Sequence, residues 1–491
     1  MALIREEEIS YSDLSLVDPV GRLFHWNDGI YRGIYPNSAE LVRDLFASGC
    51  LQELMRRGFF PQSQITEHVM EGFDLVVEHK TVPYVIYPHE WSFDMFRDAS
   101  LAVLEVVEIC AKFGWDIKDC HPQNVLFSGN QPLFVDLGSF RKKPRSVGFE
   151  KGLDFLRCYW RPLYVWASGE SFLAQRLISS GSGPMPDLSW WLYRHSSLRV
   201  LGAKKCARLA KWSAKWARKA AKLLRHGNVV SWLSPSLASR LPASILAKNP
   251  SLLRRKIARL TQPLPSQWDD YHSEHIQNGA IISTPRFDRI LEIIRLLDCA
   301  SATELAGNQG LLTLLIGAKT KLDRVVCTDY SSSAINRFYN YCRSHTDKLN
   351  ARHLQGAVLD FMLPERTFGE ASPSERLKSD LVIALAVTHH LILTQNYPLR
   401  EILKTIRGYT RRFAMIEFMP LGLWNGHNAP PVPDWYTKDW FQQIFTEFFD
   451  LVAVEELEKN RILFVGRLKA PRSEIQAEDP SEYFDTKRWV A

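Results

Sequence analysis

Residues 302–318 read ATELAGNQGLLTLLIGA, and residues 325–335 read VVCTDYSSSAI. The first stretch predicts a strand, a glycine turn and an apolar helix, and the second predicts a further strand that ends in polar residues. Gly307 and Gly310 allow a tight turn and let the backbone approach a ligand without a Cβ in the way. This order of elements is typical of a nucleotide-like cofactor site in an open α/β sheet.

Acidic residues stand at the ends of three predicted strands. Glu304 closes the first strand, Asp329 closes the second at the spacing of a ribose-binding carboxylate, and Asp360 closes a short strand over residues 356–361. The glycines follow G-x-x-G instead of G-x-G-x-x-G, and no lysine follows as in a P-loop. Because an acid at the first strand would repel a pyrophosphate, the pattern favours a nucleoside that carries positive charge and no phosphate.

Later segments complete the predicted sheet. Residues 379–390, SDLVIALAVTHH, contain a near-continuous apolar run that is typical of a parallel strand buried on both faces. Residues 412–418 predict another strand, an aromatic helix follows near residues 440–448, and residues 460–466 predict a closing strand. The expected fold class is therefore α/β, with a doubly wound Rossmann-like sheet in the C-terminal half and an α+β domain in the N-terminal half.

Over residues 265–468 these segments resemble the class I S-adenosylmethionine-dependent methyltransferases. The resemblance implies that S-adenosyl-L-methionine is the cofactor and that Glu304, Gly307 and Gly310 belong to its first binding motif. It further implies that Asp329 binds the ribose and that Asp360 contacts the adenine amine. Trp268 and Tyr271 precede the domain and are candidates for a lid or for a structural helix.

Three residues are candidates for catalysis. His389 and His390 follow the fourth strand, where the methyltransferase family places substrate and catalytic residues, and a histidine can take a proton near neutral pH. Glu417 closes the fifth strand and is a second candidate base. The alternative for each histidine is that it packs against the sheet.

The N-terminal half carries another pattern. Residues 116–127, DIKDCHPQNVLF, precede residues 132–140, PLFVDLGSF. Asp119 and Asn124 have the D-x-x-x-x-N spacing of a kinase catalytic loop, and Asp136 begins a D-L-G. The H-P-x-N form resembles small-molecule phosphotransferases of the aminoglycoside and choline kinase type. That resemblance implies that Asp119 orients a hydroxyl and that Asn124 and Asp136 hold magnesium with ATP.

The expected glycine-rich loop is missing, and Arg32 or Lys80 are the only candidates for the kinase lysine. Three interpretations remain open: a kinase-like fold without activity, an active phosphotransferase that uses Mg-ATP, and a local resemblance alone. A kinase-like segment joined to a C-terminal methyltransferase domain resembles bacterial methyltransferases related to a rhizobial nodulation protein.

The chain has 491 residues and a net charge of +7, with eight cysteines and no C-x-x-C pair. We expect a cytoplasmic protein with reduced thiols, because the start is charged and no uncharged apolar run could span a membrane. We expect domains at 1–200 and 265–468, a basic connecting region at 201–264 and a polar tail at 469–491.

Within the connecting region, residues 203–225 form a basic amphipathic segment. The segment predicts a helix that packs by its tryptophan face, contacts an anionic membrane surface, or binds nucleic acid, the last being the least favoured. For the whole chain we expect methyl transfer to an oxygen of a small molecule or glycan. The alternatives are a bifunctional methyltransferase and small-molecule kinase, and a non-catalytic or nucleic-acid-binding protein that retains the fold.

Overall fold

The computed structural model describes residues 2–143, 151–179, 249–262, 276–277, 280–345, 349, 353–365, 370–424 and 426–469. The basic segment 203–225, Trp268, Tyr271 and nearly all of the polar tail lie outside these residues. Among the described residues, no helix is long and apolar enough to cross a membrane.

The N-terminal half begins with a five-stranded antiparallel sheet in the order β2-β3-β4-β7-β5, while β1 and β6 form a separate parallel pair. The β3–β4 hairpin turns through Asn27 and Asp28, which both have positive φ, as a tight two-residue hairpin turn requires. The elements are β1 (Leu3–Ile4), β2 (Ser10–Tyr11), β3 (Gly21–Trp26), β4 (Gly29–Ile34), α1 (Pro36–Ala47), α2 (Cys50–Arg56), β5 (Ser63–Ile65), β6 (Val69–Met70) and β7 (Leu75–His79).

A long helix and two small antiparallel pairs follow. Strand β8 pairs with β11, and β9 pairs with β10 in a hairpin between them. The elements are α3 (Phe93–Lys112), β8 (Trp115–Ile117), β9 (Val125–Ser128), β10 (Gln131–Phe134), β11 (Phe140–Lys142), α4 (Gly152–Phe155), a π-helical turn (Leu156–Trp160), α5 (Arg161–Ala167), α6 (Ser171–Ser179) and α7 (Pro250–Ile257). Most of α3 is buried, so it is the central helix of this half.

The C-terminal half forms a seven-stranded sheet in the order β16-β15-β14-β17-β18-β20-β19, in which the first five strands are parallel. The elements are β12 (Ile276–Gln277), β13 (Ala280–Ile281), α8 (Pro285–Leu296), β14 (Ser301–Leu305), α9 (Leu311–Lys319), β15 (Arg324–Asp329), α10 (Ser332–Ser344), β16 (His353–Val358), α11 (Pro373–Arg376), β17 (Ser379–Ala384), α12 (Thr388–Leu393), α13 (Leu399–Gly408), β18 (Thr410–Phe418), α14 (Lys438–Phe448), β19 (Phe449–Glu458) and β20 (Arg461–Leu468).

The strand order confirms the expected doubly wound sheet. The order reverses between β14 and β17, and a crevice at such a switch point is where open α/β sheets bind ligands. The strand predicted from the apolar run that begins at residue 379 is shorter in the structure than the sequence indicates. Strand β17 ends at Ala384, Ala386 has a φ of 50°, and α12 begins at Thr388, so both histidines lie on a short helix.

The two halves share one hydrophobic core. Helix α3 packs against α10, and the contact carries buried polar bonds: Asp94 accepts from the Asn336 amide at 2.9 Å, and Asp98 accepts from the Tyr339 hydroxyl at 2.9 Å. A second contact joins Glu90 to Arg376, with the two side chains 2% and 6% exposed. Polar groups buried this deeply need hydrogen-bond or ion-pair partners, so each half supplies partners for buried groups of the other.

Candidate functional site

The glycine turn between β14 and α9 lies at the carboxyl edge of the sheet. Its backbone takes up positive φ at Ala306, Asn308 and Gly310, and the Gly307 N–H donates to the Thr328 carbonyl at 2.8 Å. A Cβ at Gly310 would stand 2.4 Å from the Phe338 ring. The turn therefore needs glycine both for its backbone conformation and for its close approach to α10.

Asp329 closes β15 beside this turn. One carboxylate oxygen accepts from the Asn308 N–H at 2.8 Å and the other accepts from the Ser331 N–H at 2.8 Å. These bonds tie the glycine turn to the start of α10. A carboxylate at the end of a parallel strand beside a glycine turn is the type of acceptor that binds ribose hydroxyls in open α/β sheets.

Glu304 is the last residue but one of the neighbouring strand, β14, and lies deeper. Its carboxylate is buried and accepts from the Thr313 N–H at 3.1 Å and from the Thr313 hydroxyl at 2.6 Å. Burial raises the pKa of Glu304 to about 7, and the bonds from Thr313 oppose that rise. The structure therefore places this acid behind the turn, where it holds the first turn of α9.

Asp360 follows β16 and is exposed, and its carboxylate accepts from the Met362 and Leu363 N–H groups at 3.0 and 3.1 Å. Because β14, β15 and β16 are adjacent and parallel, Glu304, Asp329 and Asp360 lie in one row along the carboxyl edge. The structure thus brings together the residues predicted for the cofactor.

A second cluster of charged side chains lies at the same edge of the sheet, on the far side of β17. Glu417 is fully buried and accepts two bonds from Arg286 at 3.0 Å, one from Arg461 at 2.8 Å and one from the Ala386 N–H at 2.9 Å. These four bonds occupy the acceptor positions of the carboxylate. The geometry therefore favours an anchoring role for Glu417, while its proposed role as a base stays a prediction.

Arg286 and Arg461 were not identified from the sequence. A buried carboxylate needs hydrogen-bond donors, so Glu417 at the end of a buried strand is a signal for a partner such as an arginine or lysine. The two arginines stand on α8 and at the start of β20, far from Glu417 in the chain, so only the fold identifies them.

The two histidines lie side by side on α12, with ring centres 4.1 Å apart. His389 is buried, and its Nδ1 has no hydrogen-bond partner among the described residues. Burial, then the neighbouring His390 and Arg461, lower the pKa of His389 to about 3. Burial lowers the pKa of His390 as well. Both rings are therefore neutral at physiological pH.

The kinase-like residues of the N-terminal half also meet. The Val135 N–H donates to the Asn124 carbonyl at 2.9 Å, which places Asp136 next to the 119–124 loop. Arg32, from β4, forms an ion pair with Asp18 and stands 4.0 Å from Asp136. Burial raises the pKa of Asp136, and Arg32 opposes that rise.

Two further features concern ligands. In the described ranges, no group of three or more histidine, cysteine or acidic side chains could hold a metal ion. A cleft of about 580 Å³ lies between α3, α7 and α10, and Asp98, Arg254 and Arg343 line it. This cleft borders the contact between the two halves and does not include the row of acids.

The residues of the carboxyl edge fit S-adenosylmethionine by their chemistry. The row offers carboxylates and a backbone turn, which suit hydroxyls and positive charge, and it offers no phosphate-binding lysine. Asp329, oriented by two backbone amides, is the best placed of the three acids to bind a ribose.

Comparison with solved structures finds methyltransferases of weak similarity. The chain resembles the N-methyltransferase NodS from Bradyrhizobium japonicum WM9, with 16% identity and a TM-score of 0.27 over 38% of this chain and 97% of that chain. It also resembles an S-adenosylmethionine-dependent methyltransferase from Clostridium acetobutylicum ATCC 824, with 12% identity and a TM-score of 0.30 over 41% of this chain and 96% of that chain.

Among curated proteins, the chain is similar to nodulation protein NoeA of Rhizobium meliloti (strain 1021). The two are 23% identical over 428 residues, which cover 83% of this chain and 84% of the relative. The similarity therefore extends through both halves. No protein-family model matches the chain.

Proposed function

We propose that the chain is an S-adenosylmethionine-dependent methyltransferase. The observation that carries the proposal is that Asp329 and Asp360 lie beside a glycine turn at the switch point of a doubly wound sheet. Asp329 would bind the ribose, Asp360 the adenine amine, and the 306–310 backbone the remainder of the cofactor. Glu304 and Glu417 support the turn and the edge from behind.

The proposed acceptor is a hydroxyl of a small molecule or glycan. Methyl transfer is an in-line displacement in which the acceptor oxygen attacks the methyl carbon and the carbon–sulfur bond breaks. The hydroxyl proton goes to a base, and a neutral histidine on α12 can accept it. Holding the two reactants in line supplies most of the rate of such a step.

Calorimetry with S-adenosylmethionine tests the cofactor. Asp329→Ala should weaken binding by at least about tenfold, because it removes charge-assisted hydrogen bonds to the ribose. Asp380→Ala is the matched control, since Asp380 also accepts from two backbone amides, those of Ala300 and Ser301, but at the opposite edge of the same sheet. Unchanged affinity in Asp329→Ala, or an equal loss in both variants, would contradict the assignment.

A phosphate-handling site in the N-terminal half is a second candidate function. Two observations support this function. The guanidinium group of Arg32 lies beside Asp136, and the β9–β10 hairpin lies between the paired strands β8 and β11. Asp119, Asn124 and Asp136 would hold Mg-ATP, with the amide oxygen of Asn124 as a magnesium ligand. The ion pair between Arg32 and Asp18 favours an inactive site over an active one.

Mg-ATP titration separates these possibilities. An active phosphotransferase should bind Mg-ATP and lose its ATP hydrolysis or sugar phosphorylation on Asp119→Asn, whereas an inactive site should show neither activity. Glu71→Gln is the control, because Glu71 is an exposed acid of the same half, in the turn between β6 and β7. Membrane contact through 203–225 stays a separate proposal, which vesicle sedimentation can test.

A further inference from the structure

The loop over residues 419–437 joins β18 to α14 and starts two residues after Glu417. Asn460 is buried and holds this loop: its amide oxygen accepts from the Leu421 N–H at 2.6 Å, and its amide nitrogen donates to the Gly422 carbonyl at 3.4 Å. The loop is therefore a positioned part of the carboxyl edge.

Gly422 fixes the loop against the histidine helix. It has a φ of 55°, and a Cβ there would stand 2.7 Å from Val432 and 2.8 Å from Leu393 on α12. The Thr388 hydroxyl, at the start of α12, donates to the Glu417 carbonyl at 2.8 Å. These contacts place the loop beside the residues proposed to handle the acceptor.

Aromatic rings accumulate at the end of the loop. Tyr436 packs on Phe418 with ring centres 4.9 Å apart, and Trp440 lies 5.8 Å from Tyr436. Trp435 lies 4.9 Å from Trp440 and is 51% exposed. The inner rings thus form a base that supports one exposed indole. Tryptophan is enriched at binding surfaces, because its ring combines a large apolar face with a polar N–H group.

Acidic residues alternate with these rings in the sequence. Asp434 directly precedes Trp435, Asp439 directly precedes Trp440, and both aspartates are exposed. The hydroxyl of Tyr436 is buried, with no hydrogen-bond partner in the ranges that the structure describes. A buried hydroxyl without a partner is costly, and a ligand that supplies hydrogen bonds would remove that cost.

We propose that Trp435 and its supporting rings bind a sugar ring of the methyl acceptor. The carbon–hydrogen face of a sugar would stack on the indole, while its hydroxyls would bond to Asp434 and Asp439. This inference rests on the proposed methyltransferase function and extends it by naming a glycan as the acceptor. A planar aromatic acceptor could stack on the same ring, but it would leave the alternating carboxylates without hydroxyl partners.

Saturation-transfer NMR on the full chain tests the inference, with cellohexaose, maltohexaose and xylohexaose as probes and 3,4-dihydroxybenzoate as the planar aromatic probe. At least one oligosaccharide should bind, and Trp435→Ala should weaken that binding by at least about tenfold. Trp435→Phe should retain part of it. Phe172→Ala is the control, because Phe172 is an exposed ring on α6.

The same samples are titrated with S-adenosylmethionine, so that the two proposals can fail separately. Cofactor binding without binding of any oligosaccharide would overturn the glycan inference and leave the methyltransferase proposal intact. Stronger binding of the dihydroxybenzoate than of every oligosaccharide would likewise overturn it. If the wild-type chain does not bind S-adenosylmethionine, the proposed function itself is refuted, whether or not the oligosaccharides bind.

Discussion

Glu304 shows how a single buried residue can couple the cofactor site to pH. Its ordinary pKa of 4.5 rises to about 7 in the folded chain, so the folded state holds a proton that the unfolded state has already released between these values. The free energy of unfolding should therefore fall as the pH rises from 4.5 to 7.

Glu304→Gln should remove this dependence while its amide oxygen still accepts the two bonds from Thr313. Above pH 7 the variant should be more stable than the wild type by about 3 kcal/mol, at roughly 1.4 kcal/mol per pKa unit. Urea unfolding of both proteins at pH 5 and pH 8 measures the difference. Equal pH slopes for the two proteins would show that Glu304 is already ionised in the folded state.

The histidine pair makes a prediction of opposite sign. Unfolded His389 takes up a proton near its ordinary pKa of 6.5, whereas the folded residue stays neutral down to about pH 3. Stability should therefore fall as the pH drops through this window, and His389→Gln should fall less steeply in the same urea experiment.

His390 is the better candidate for the base, because burial alone lowers its pKa, without the added effect of Arg461. With an acceptor in hand, His390→Ala should cost roughly 10²–10⁴ in single-turnover methyl transfer, and cofactor binding should persist. Loss of cofactor binding together with activity would mean that His390 supports the fold.

At the scale of elements, the glycine turn before α9 is the most sensitive to substitution. Gly310→Ala adds a Cβ to a residue with a φ of 67° and drives it against Phe338. We expect a loss of roughly 1–3 kcal/mol in stability and a weaker cofactor affinity. Gly72→Ala is the control, because Gly72 has a φ of 83° but nothing within 4 Å. Equal losses in the two variants would mean that backbone strain alone matters.

Some of these elements and contacts can be predicted from the sequence, and others cannot. Buried parallel strands are apolar along their whole length, so the strand ends and their acids at Glu304, Asp329 and Asp360 could be predicted from local pattern. The break between β17 and α12 could not, because the apolar run continues past Ala384 into Ala386 and Val387. The partners of Glu417 could not either, since pairing across the chain depends on the completed sheet.

At the scale of the whole molecule, the contact between the halves governs stability. Arg376 and Glu90 form an ion pair buried between them. Arg376→Met leaves the Glu90 charge without its partner, which should cost about 3–5 kcal/mol. The exposed pair of Arg289 and Glu455 gives the control, because Arg289→Met should cost less than about 1 kcal/mol.

Urea unfolding of these variants should show one transition, since both halves share a core. Two separate transitions in the wild type would contradict the single core. The sequence indicates this contact only in part: Asn336, Tyr339, Asn340 and Arg343 recur at the spacing of one helix face, but nothing local identifies α3 as their partner.

Helix α7 has a topological consequence for the basic segment. The chain leaves the N-terminal half at the end of α6, and α7 returns to α3, where Arg254 pairs with Glu108 at 2.8 Å. The chain therefore leaves and rejoins the same half of the protein on either side of residues 180–248, and it reaches the C-terminal half only after α7. Any surface that residues 203–225 bind would therefore be linked to the protein through two chain connections, and both of them end on the N-terminal half.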